Sequence, residues 1–408
     1  MGMKWTEEQS KVITLRDRNI LVSAAAGSGK TAVLVQRILS KIMDPDRLVD
    51  IDRLLIMTFT RAAAGEMKER ISNAIDQALY ENPDNEHLQR QAALIHNAQI
   101  TTIDGFCSYI IRNYFHMVEL DPGYRTAEEG ELKLLQEDVM KDLLEEAYEK
   151  ADPKFLSLVE CYASGKSDDE IRDMVYKLCQ AAMSHPYPEE WLEECMEVYR
   201  VQTIEELRET SWIQLLWETL DEKLDQAEAL TESARKICNE PDGPYFYDEA
   251  LVDDLNFWRE VRRCRETKDY DKVADILSGH TFAKLSAKRD SSIDSVKKEQ
   301  AKELRDEEKE ICKDLSTKFF NQKEEILLEL IACAREPLEG LVELTLQFKE
   351  AFSSKKREKN LLDFTDMEHF ALRILVEKVD GELIPTQAAR ELSEKYEEVM
   401  VDEYQDSN

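Results

Sequence analysis

The sequence predicts an α/β fold in which a parallel, doubly wound sheet carries a large inserted subdomain made only of helices. Short apolar runs typical of buried strands alternate with helical patterns near the ends of the chain. Between residues 119 and 352 the pattern is almost entirely that of amphipathic helices. A chain of 408 residues is also too long for one ordinary core. We therefore expect residues 1–118 to begin the α/β core, residues 119–352 to form the insertion, and residues 353–408 to return to the core.

The predicted core elements follow in order along the chain. Thr6 is a plausible N-cap of a first helix. The pattern then predicts a short buried strand at 19–22, a helix from 32, a strand at 53–58 and a helix over 62–79. A third strand at 99–103 leads into a helix that begins near Asp104. Because strands that alternate with helices form parallel sheets, ligands are expected at the carboxyl ends of these strands.

Composition limits the class of protein. The net charge is −32, but residues 1–118 hold 14 Lys/Arg and 14 Asp/Glu, so the excess acid lies in the remainder. A neutral segment can still contact nucleic acid through its loops. The eight cysteines are scattered without a C-x-x-C pair, which predicts reduced core residues of a cytoplasmic protein; a disulfide or metal framework is the alternative. No apolar stretch approaches the length of a membrane span, so no membrane partner is expected.

The segment after the first predicted strand has the composition of a phosphate-binding loop. Two glycines allow a turn whose backbone N–H groups point into one concavity, and the dipole of the following helix favours an anion there. A lysine supplies a cation for the outer phosphates, and a threonine hydroxyl is a ligand for Mg²⁺. The alternative is a chance turn of small residues, since alanine stands at the first glycine position of the strict motif. We expect a nucleotide to be bound by Ser23, Ala24, Ala25, Ala26, Gly27, Ser28, Gly29, Lys30 and Thr31.

A final apolar strand delivers two carboxylates that complement this loop. Asp402 and Glu403 follow residues 399–401, and Asp402 lies 372 positions after Lys30. In-line attack of water on a γ-phosphate needs a metal ion that neutralises charge and a base that positions the water. We expect Asp402 to hold Mg²⁺ through its water shell and Glu403 to orient and deprotonate the water. So large a separation is best explained if the helical segment is an insertion whose two ends return to one sheet.

Six motifs occur in the order found in one known family: residues 5–9, 24–31, 58–67, 101–107, 362–367 and 402–406. Together they resemble the UvrD/Rep/RecB-like superfamily 1 DNA helicases. The resemblance implies a P-loop NTPase (RecA-like) core, ATP and Mg²⁺ as cofactors, and single- and double-stranded DNA as partners. Residues 19–31, and Ala32 after Thr31, are most similar to the AddA/RecB branch. That branch implies an exonuclease in the full-length protein and a partner that is an AddB-like nuclease/helicase subunit.

The resemblance also implies roles for single residues at the nucleotide. Gln9 would read the adenine edge and favour ATP over GTP. Gln405 would sense the γ-phosphate and couple it to movement. With Lys30 and Glu403, Gln405 completes the expected catalytic set.

A second set of residues is implied to contact single-stranded DNA. A short aromatic, hydroxyl and cationic group at a strand end can stack a base and bind a phosphate. The alternative is a strand-end turn that caps the next helix. Asp104 stands where the family frequently has His, and an acid suits DNA phosphate poorly, so we expect Asp104 to be a helix cap. The implied DNA contacts are Phe59, Thr60, Arg61, Thr101 and Thr102.

Two further patterns lie in the helical segment. Ser167 with Glu170 and Thr203 with Glu206 predict capping boxes. A locally basic stretch is interpreted as a solvated face paired with neighbouring carboxylates, and a contact with the backbone of duplex DNA is the alternative. Its members are Lys284, Lys288, Arg289, Lys297, Lys298, Lys302 and Arg305.

The sequence therefore predicts the ATP-binding motor domain of a DNA helicase–nuclease subunit that unwinds and processes double-strand ends for recombinational repair. A UvrD-like repair helicase without nuclease and a non-hydrolysing DNA-binding scaffold of the same fold are the alternatives. The family's later motifs lie beyond Asn408, so the resemblance implies an amino-terminal fragment. Arginine fingers among those motifs contribute ~10³–10⁵ in rate. We expect residues 1–408 alone to hydrolyse ATP very slowly or not at all, and robust DNA-stimulated turnover would contradict this.

Overall fold

The structure is a computed structural model that describes residues 4–25, 27–44, 46–163, 165, 167–288 and 290–406. Ala26 of the predicted phosphate-binding loop and Arg289 of the basic stretch lie outside the described residues. The chain divides into two compact units. We call Met1–Val139 with Glu350–Asn408 the core unit, and Met140–Lys349 the helical unit.

Helices predominate in both units. The chain begins with α1 (Glu7–Thr14), α2 (Lys30–Ile42), β1 (Leu54–Thr58), α3 (Arg61–Glu81), α4 (Glu86–Leu94), β2 (Gln99–Thr102), α5 (Ile103–Tyr114), β3 (Arg125–Thr126) and α6 (Glu129–Lys150). It continues through α7 (Pro153–Tyr162), α8 (Asp169–Met183), α9 (Pro188–Glu197), α10 (Ile204–Glu209), α11 (Ser211–Cys238), α12 (Asp248–Glu266), α13 (Tyr270–Gly279), α14 (Ser295–Asp314) and α15 (Glu324–Glu358). The last elements are β4 (Leu361–Leu362), α16 (Phe364–Leu375), β5 (Val376–Val379), β6 (Glu382–Pro385), α17 (Gln387–Lys395) and β7 (Glu398–Val401).

The core unit is built on a three-stranded parallel sheet in the order β2-β1-β7. In the central strand β1, Ile56 pairs with Ile100 of β2 and with Met400 of β7. The predicted strands at 53–58, at 99–103 and before Asp402 are thereby confirmed, as is their parallel direction. Two smaller pairings accompany the sheet: β3 with β4 in parallel, and β5 with β6 as an antiparallel hairpin. Because the three main strands run the same way, their carboxyl ends meet at one edge.

The predicted buried strand at 19–22 is wrong. These residues form no strand, and Leu21 is 85% exposed. An apolar run of four residues is compatible with a strand but does not determine one, because a strand also needs a neighbour that completes its hydrogen bonds. In the described part of the chain, β7 pairs with β1 alone and residues 19–22 pair with no strand.

Apolar side chains hold α2, the helix after the predicted phosphate-binding loop, against the sheet. Ile38 and Ile42 of α2 lie in one buried cluster with Ile71 of α3 and Ile56 of β1. Their i, i+4 spacing on α2 places both on one face of that helix. A second cluster packs α5 against α16. The packing fixes α2 and α3 beside the edge at which the strands end.

The helical unit has its own core, formed mainly by α11, α12, α13 and α14. Trp217 and Leu220 of α11, Trp258 and Val261 of α12, and Tyr270 of α13 are all buried in it. A buried core of this size is consistent with a unit that packs independently.

The predicted helix caps have mixed outcomes. Thr6 begins α1 and Thr203 begins α10, both in capping boxes, as predicted. The predicted box of Ser167 with Glu170 is wrong, because α8 has Asp168 at its N-cap. The Ser167 hydroxyl instead accepts from the backbone N–H of Asp169 and donates to the carboxylate of Asp169. Asp169 thus competes with the predicted capping contact for this hydroxyl.

The cysteines are all free in the described residues. Four are buried, as predicted for core positions: Cys107, Cys238, Cys264 and Cys312. The prediction is wrong for Cys161, Cys195 and Cys333, which are exposed because helical periodicity alone does not decide which apolar positions are covered. Across the described chain, every helix is too short or too polar to cross a lipid bilayer.

Candidate functional site

The loop before α2 has the backbone expected of a phosphate cradle. Gly27 and Gly29 have φ angles of +78° and +83°, a region that side chains rarely adopt. The backbone N–H of Ser28 donates to the carbonyl of Ala25 at 3.2 Å, which closes the turn. Helix α2 begins at Lys30, so its first N–H groups lie next to the loop. The helix dipole and these N–H groups together favour an anion at this position.

The two ends of the sequence meet at Lys30. Its Nζ lies 3.9 Å from Oε2 of Glu403 and 3.3 Å from the carbonyl oxygen of Ala24. The carboxylate and the amine are therefore within one phosphate group's length of each other, although 373 residues separate them. This proximity is the geometry that a phosphate-binding lysine and a water-activating carboxylate require.

The end of β7 presents the two carboxylates. The backbone N–H of Asp402 donates to the carbonyl of Met57 at 2.8 Å, which extends the sheet by one bond. Glu403 then turns the chain with a φ of +52°, and its N–H donates to Oδ1 of Asp402 at 3.1 Å. The side-chain amide of Gln405 donates to Glu403, so Glu403 contacts both of the other predicted residues at this end. A positive φ outside glycine is uncommon and is found preferentially at functional turns.

Burial raises the pKa of the Asp402 carboxyl. The N–H of Glu403 and the charge of Lys30 act in the opposite direction, whereas the charge of Glu403 adds to the rise. A partly buried carboxylate with a raised pKa gains from a nearby divalent cation, which restores the charged form.

The donor set at this edge fits Mg²⁺ that arrives with a nucleotide. The Thr31 hydroxyl and the Asp402 carboxylate are hard oxygen donors, which Mg²⁺ prefers. Among the described residues, no group of three or more His, Cys, Asp or Glu side chains could hold a metal by itself. Mg²⁺ in nucleotide sites commonly takes one or two carboxylates and completes its shell with phosphates and water. The protein thus supplies part of the coordination shell of Mg²⁺, and the nucleotide phosphates and water would supply the rest.

Gln9 is positioned at the loop by its own helix. Its Oε1 accepts from the backbone N–H of Thr6 at 3.0 Å, and its Nε2 donates to the carbonyl of Ser28 at 3.1 Å. A glutamine amide has two donor hydrogens and two acceptor lone pairs, so one of each remains available. An adenine edge offers one donor, N6–H, and one acceptor, N7. The remaining acceptor lone pair and donor hydrogen of the Gln9 amide match these two groups.

The sequence did not reveal a buried ion cluster behind the loop. Arg37 and Lys41 of α2 both contact the carboxylate of Glu398, the first residue of β7. Burial by itself would raise the pKa of Glu398, but the hydrogen bonds and the charges of Arg37 and Lys41 together outweigh it and the pKa is lowered. The available signal was that Arg37 and Lys41 share a helix face with the apolar residue Val33, which is buried.

The predicted DNA contacts after β1 differ in exposure and role. Phe59 is 58% exposed and free to stack a base. Arg61 begins α3, beside Asp104. The Thr60 hydroxyl accepts from the N–H of Ala63 at 3.1 Å and thereby caps α3. Thr60 therefore fits the alternative interpretation, a turn at the end of the strand that caps the next helix.

The predicted contacts after β2 show the same division. Thr102 is 7% exposed, and its hydroxyl caps α5 by accepting from Gly105 at 3.0 Å. Thr101 is half-buried on the strand. The expectation that Asp104 caps this helix is wrong, because Thr102 takes that position and Asp104 lies in the first turn. Burial raises the pKa of Asp104, and the charge of Arg61 opposes that rise.

Gly105→Ala is expected to destabilise the core unit by about 1–3 kcal/mol. A Cβ at this position would lie 2.2 Å from Oγ1 of Thr101, so the Thr101 side chain, the strand end or the helix must shift. The control is Gly65→Ala in α3, where a Cβ meets nothing within 4 Å and alanine favours the helix by up to about 1 kcal/mol. Thermal unfolding of both variants measures the difference, and equal midpoints would contradict the expected clash.

The basic stretch is largely paired within the helical unit. Arg305 is wrongly included in it, because its side chain is buried against Asp254 rather than solvated. Lys284 is exposed. The other described members contact carboxylates or rings: Lys288 with Tyr245, Lys297 with Glu240 and Asp242, Lys298 with Phe246, and Lys302 with Glu299. These contacts favour the interpretation as an internally paired face.

Comparisons with known proteins agree with the geometry. A model of the UvrD/REP helicase N-terminal domain matches residues 5–408. The AddA subunit of the ATP-dependent helicase/nuclease from Lachnoclostridium phytofermentans is 48% identical over 406 residues, which are 99% of this chain and 30% of that protein. Proteins of the same name from Clostridium perfringens and Bacillus pumilus are 42% and 37% identical, over 100% and 99% of this chain and 32% and 33% of their own lengths. The chain thus spans about a third of the length of these curated relatives.

Proposed function

The chain belongs to the UvrD/REP helicase N-terminal domain family, and from this premise we propose that it is the ATP-binding motor domain of a DNA helicase–nuclease subunit. In the whole protein this motor would unwind and process double-strand DNA ends for recombinational repair. The proposal extends to this chain what the name of its relatives says of them, that they are subunits of an ATP-dependent helicase/nuclease.

One observation carries the proposal. Lys30, at the end of a loop with two left-handed glycines, lies 3.9 Å from Glu403, which follows the last strand of the sheet. A small-residue turn formed by chance has no reason to face a carboxylate pair from the opposite end of the chain. A nucleotide-hydrolysing site requires such an arrangement.

Each residue of the proposed site has a separate role at the nucleotide. The loop N–H groups, Lys30 and the start of α2 bind the phosphates, and Gln9 orients the base. Thr31 and Asp402 hold Mg²⁺, which neutralises charge on the phosphate oxygens when bound. Glu403 accepts a proton from the attacking water. Glu403 contacts both Lys30 and Gln405, so a γ-phosphate bound at the Lys30 amine would compete with the Glu403 carboxylate for that cation.

Single-stranded DNA is proposed to lie along the carboxyl edge of β1 and β2. Phe59 would stack a base, and Arg61 and Thr101 would contact phosphate. Thr60 and Thr102 support this edge by capping α3 and α5, so their effect on DNA would come through the backbone they position.

The helical unit and the protein partner of the chain complete the proposed function. We propose that this unit is a subdomain inserted into the RecA-like core. It holds 30 Lys/Arg against 50 Asp/Glu. Any contact with the phosphates of duplex DNA would therefore be made by local clusters of Lys or Arg, because the net negative charge of the unit repels DNA. The proposed partner is an AddB-like nuclease/helicase subunit, and the proposed location is the cytoplasm.

Calorimetric titration of ATP with Mg²⁺ into the wild type and Lys30→Ala tests the function. We expect Lys30→Ala to bind ATP about 10- to 100-fold more weakly, because a charge-assisted contact with phosphate is lost. Lys150→Ala is the matched control, since Lys150 is an exposed lysine paired with Glu146 of its own helix. Equal ATP affinity in the wild type and Lys30→Ala would overturn the motor proposal and support a non-hydrolysing scaffold.

A further inference from the structure

Arg37 joins three elements, each of which carries a different part of the proposed ATP site. It lies two turns after Lys30 on α2, and it is only 6% exposed. A buried guanidinium is costly unless its donors are matched by acceptors. At Arg37 the acceptors come from two other segments of the chain, one on each side of α2.

On one side Arg37 holds the carboxyl end of α1. Its Nη1 donates to the carbonyl oxygens of Val12 and Leu15, the latter at 2.8 Å. These carbonyls lack helical partners and carry the negative end of the helix dipole, so a cation stabilises them. Helix α1 presents Gln9 to the loop from its other end. The contact of α1 with Arg37 therefore contributes to the position of Gln9, together with the contact of Ser40 with the carbonyl of Ile13.

On the other side Arg37 holds the start of β7. Its Nε and Nη2 donate to the two carboxylate oxygens of Glu398 at 2.6 and 3.1 Å. Lys41 contacts the same carboxylate at 2.6 Å. Four residues later β7 delivers Asp402 and Glu403 to the site. The planar fork of arginine suits this bidentate contact, and a lysine amine could not span both neighbours.

We propose that Arg37 is a positioning residue that holds Gln9 and the carboxylates after β7 in place relative to α2, and thereby supports both base recognition and Mg²⁺ binding. Arg37 itself contacts neither the base nor the metal. The proposal rests on the proposed ATP-binding function. One guanidinium constrains both the distance from α2 to Gln9 on α1, to which Ser40 also contributes, and the distance from α2 to the carboxylates after β7, to which Lys41 also contributes. Loosening it is expected to impair two chemically separate properties together.

Calorimetric titrations of the 408-residue chain with ATP and GTP, each with and without Mg²⁺, test this proposal. They yield the ratio of ATP to GTP affinity and the factor by which Mg²⁺ strengthens ATP binding. In Arg37→Lys both quantities are expected to fall, the first by about fivefold or more, the size of one lost bidentate base contact. Gln9→Ala is expected to lower the ATP/GTP ratio alone, and Asp402→Asn the Mg²⁺ factor alone.

Arg47→Lys is the matched control. Arg47 also bridges two segments, through Asp17 and Glu397, but it is exposed. Both quantities should stay unchanged in this variant. If Arg37→Lys lowers the thermal midpoint yet leaves both quantities at their wild-type values, Arg37 has only a structural role and the proposal is overturned.

Two further outcomes separate this proposal from the proposed function. If Arg37→Lys fails to fold, Glu398→Gln keeps the contacts of α1 and loosens only β7; it is expected to lower the Mg²⁺ factor, and an unchanged factor overturns the proposal. If Lys30→Ala abolishes ATP binding while Gln9→Ala leaves the ATP/GTP ratio unchanged, the ATP site stands and the positioning proposal falls.

Discussion

Asp254→Ala is expected to lower the free energy of unfolding of the helical unit by about 3–5 kcal/mol. Asp254 of α12 and Arg305 of α14 form an ion pair in which each side chain is 1% exposed. The Nε and Nη2 atoms of Arg305 donate to the two carboxylate oxygens at 2.6 and 3.0 Å. Without the carboxylate, a guanidinium remains buried with its desolvation no longer offset.

Urea unfolding followed by tryptophan fluorescence measures this loss. The matched control is Asp306→Ala on α14, the helix of Arg305, because Asp306 pairs with Lys309 in an exposed i, i+3 contact that is expected to contribute less than about 1 kcal/mol. The double variant Asp254→Leu/Arg305→Met should recover most of the loss, since it removes both charges. A loss no larger than that of Asp306→Ala would contradict the account. Four of the five tryptophans lie in this unit and report on it: Trp191, Trp212, Trp217 and Trp258.

The sequence predicted the parts of the fold that local pattern determines. The strands β1 and β7 contain apolar runs, β2 contains the β-branched residues Ile100, Thr101 and Thr102, and helices begin soon after β1 and β2. Their parallel direction follows from the alternation of strands with helices. The run at 19–22 carries a similar pattern, yet Leu21 is exposed. What differs is the presence of a neighbouring strand, which is a property of the tertiary structure and is absent from the local sequence.

The candidate site shows the same limit. The glycines, Lys30, Asp402 and Glu403 were predicted because backbone geometry and phosphate chemistry require those residue types in those positions. Arg37 was missed because its acceptor Glu398 lies 361 residues away, and nothing local distinguishes that glutamate from an exposed one. Distance in sequence likewise concealed the partners of α14, a helix so rich in charge that Arg305 was assigned to a solvated face.

Helix α14 also buries Glu308, whose side chain is fully enclosed. Its Oε1 accepts from Nε1 of Trp258 at 2.6 Å, while its Oε2 has no hydrogen-bond partner among the described residues. The nearby Thr231 hydroxyl donates to the carbonyl of Ala227. Burial raises the pKa of Glu308 from 4.5 to about 7; Asp254 adds to the rise, and Trp258, Thr231 and Arg305 offset part of it.

The raised pKa predicts a stability that falls with increasing pH. The folded state binds a proton that the unfolded state releases near pH 4.5, so the stabilising contribution is complete below that pH and is lost as the pH rises through about 7. A rise of this size corresponds to about 3 kcal/mol. Glu308→Gln keeps the shape and the acceptor for Trp258 but cannot ionise. We expect it to be more stable than the wild type by about 3 kcal/mol at pH 8.5 and nearly equal to it at pH 4. Other titrating groups cancel in this comparison, so urea unfolding of both proteins at both pH values isolates Glu308. A difference that is the same at the two pH values would show that Glu308 does not bind the proton.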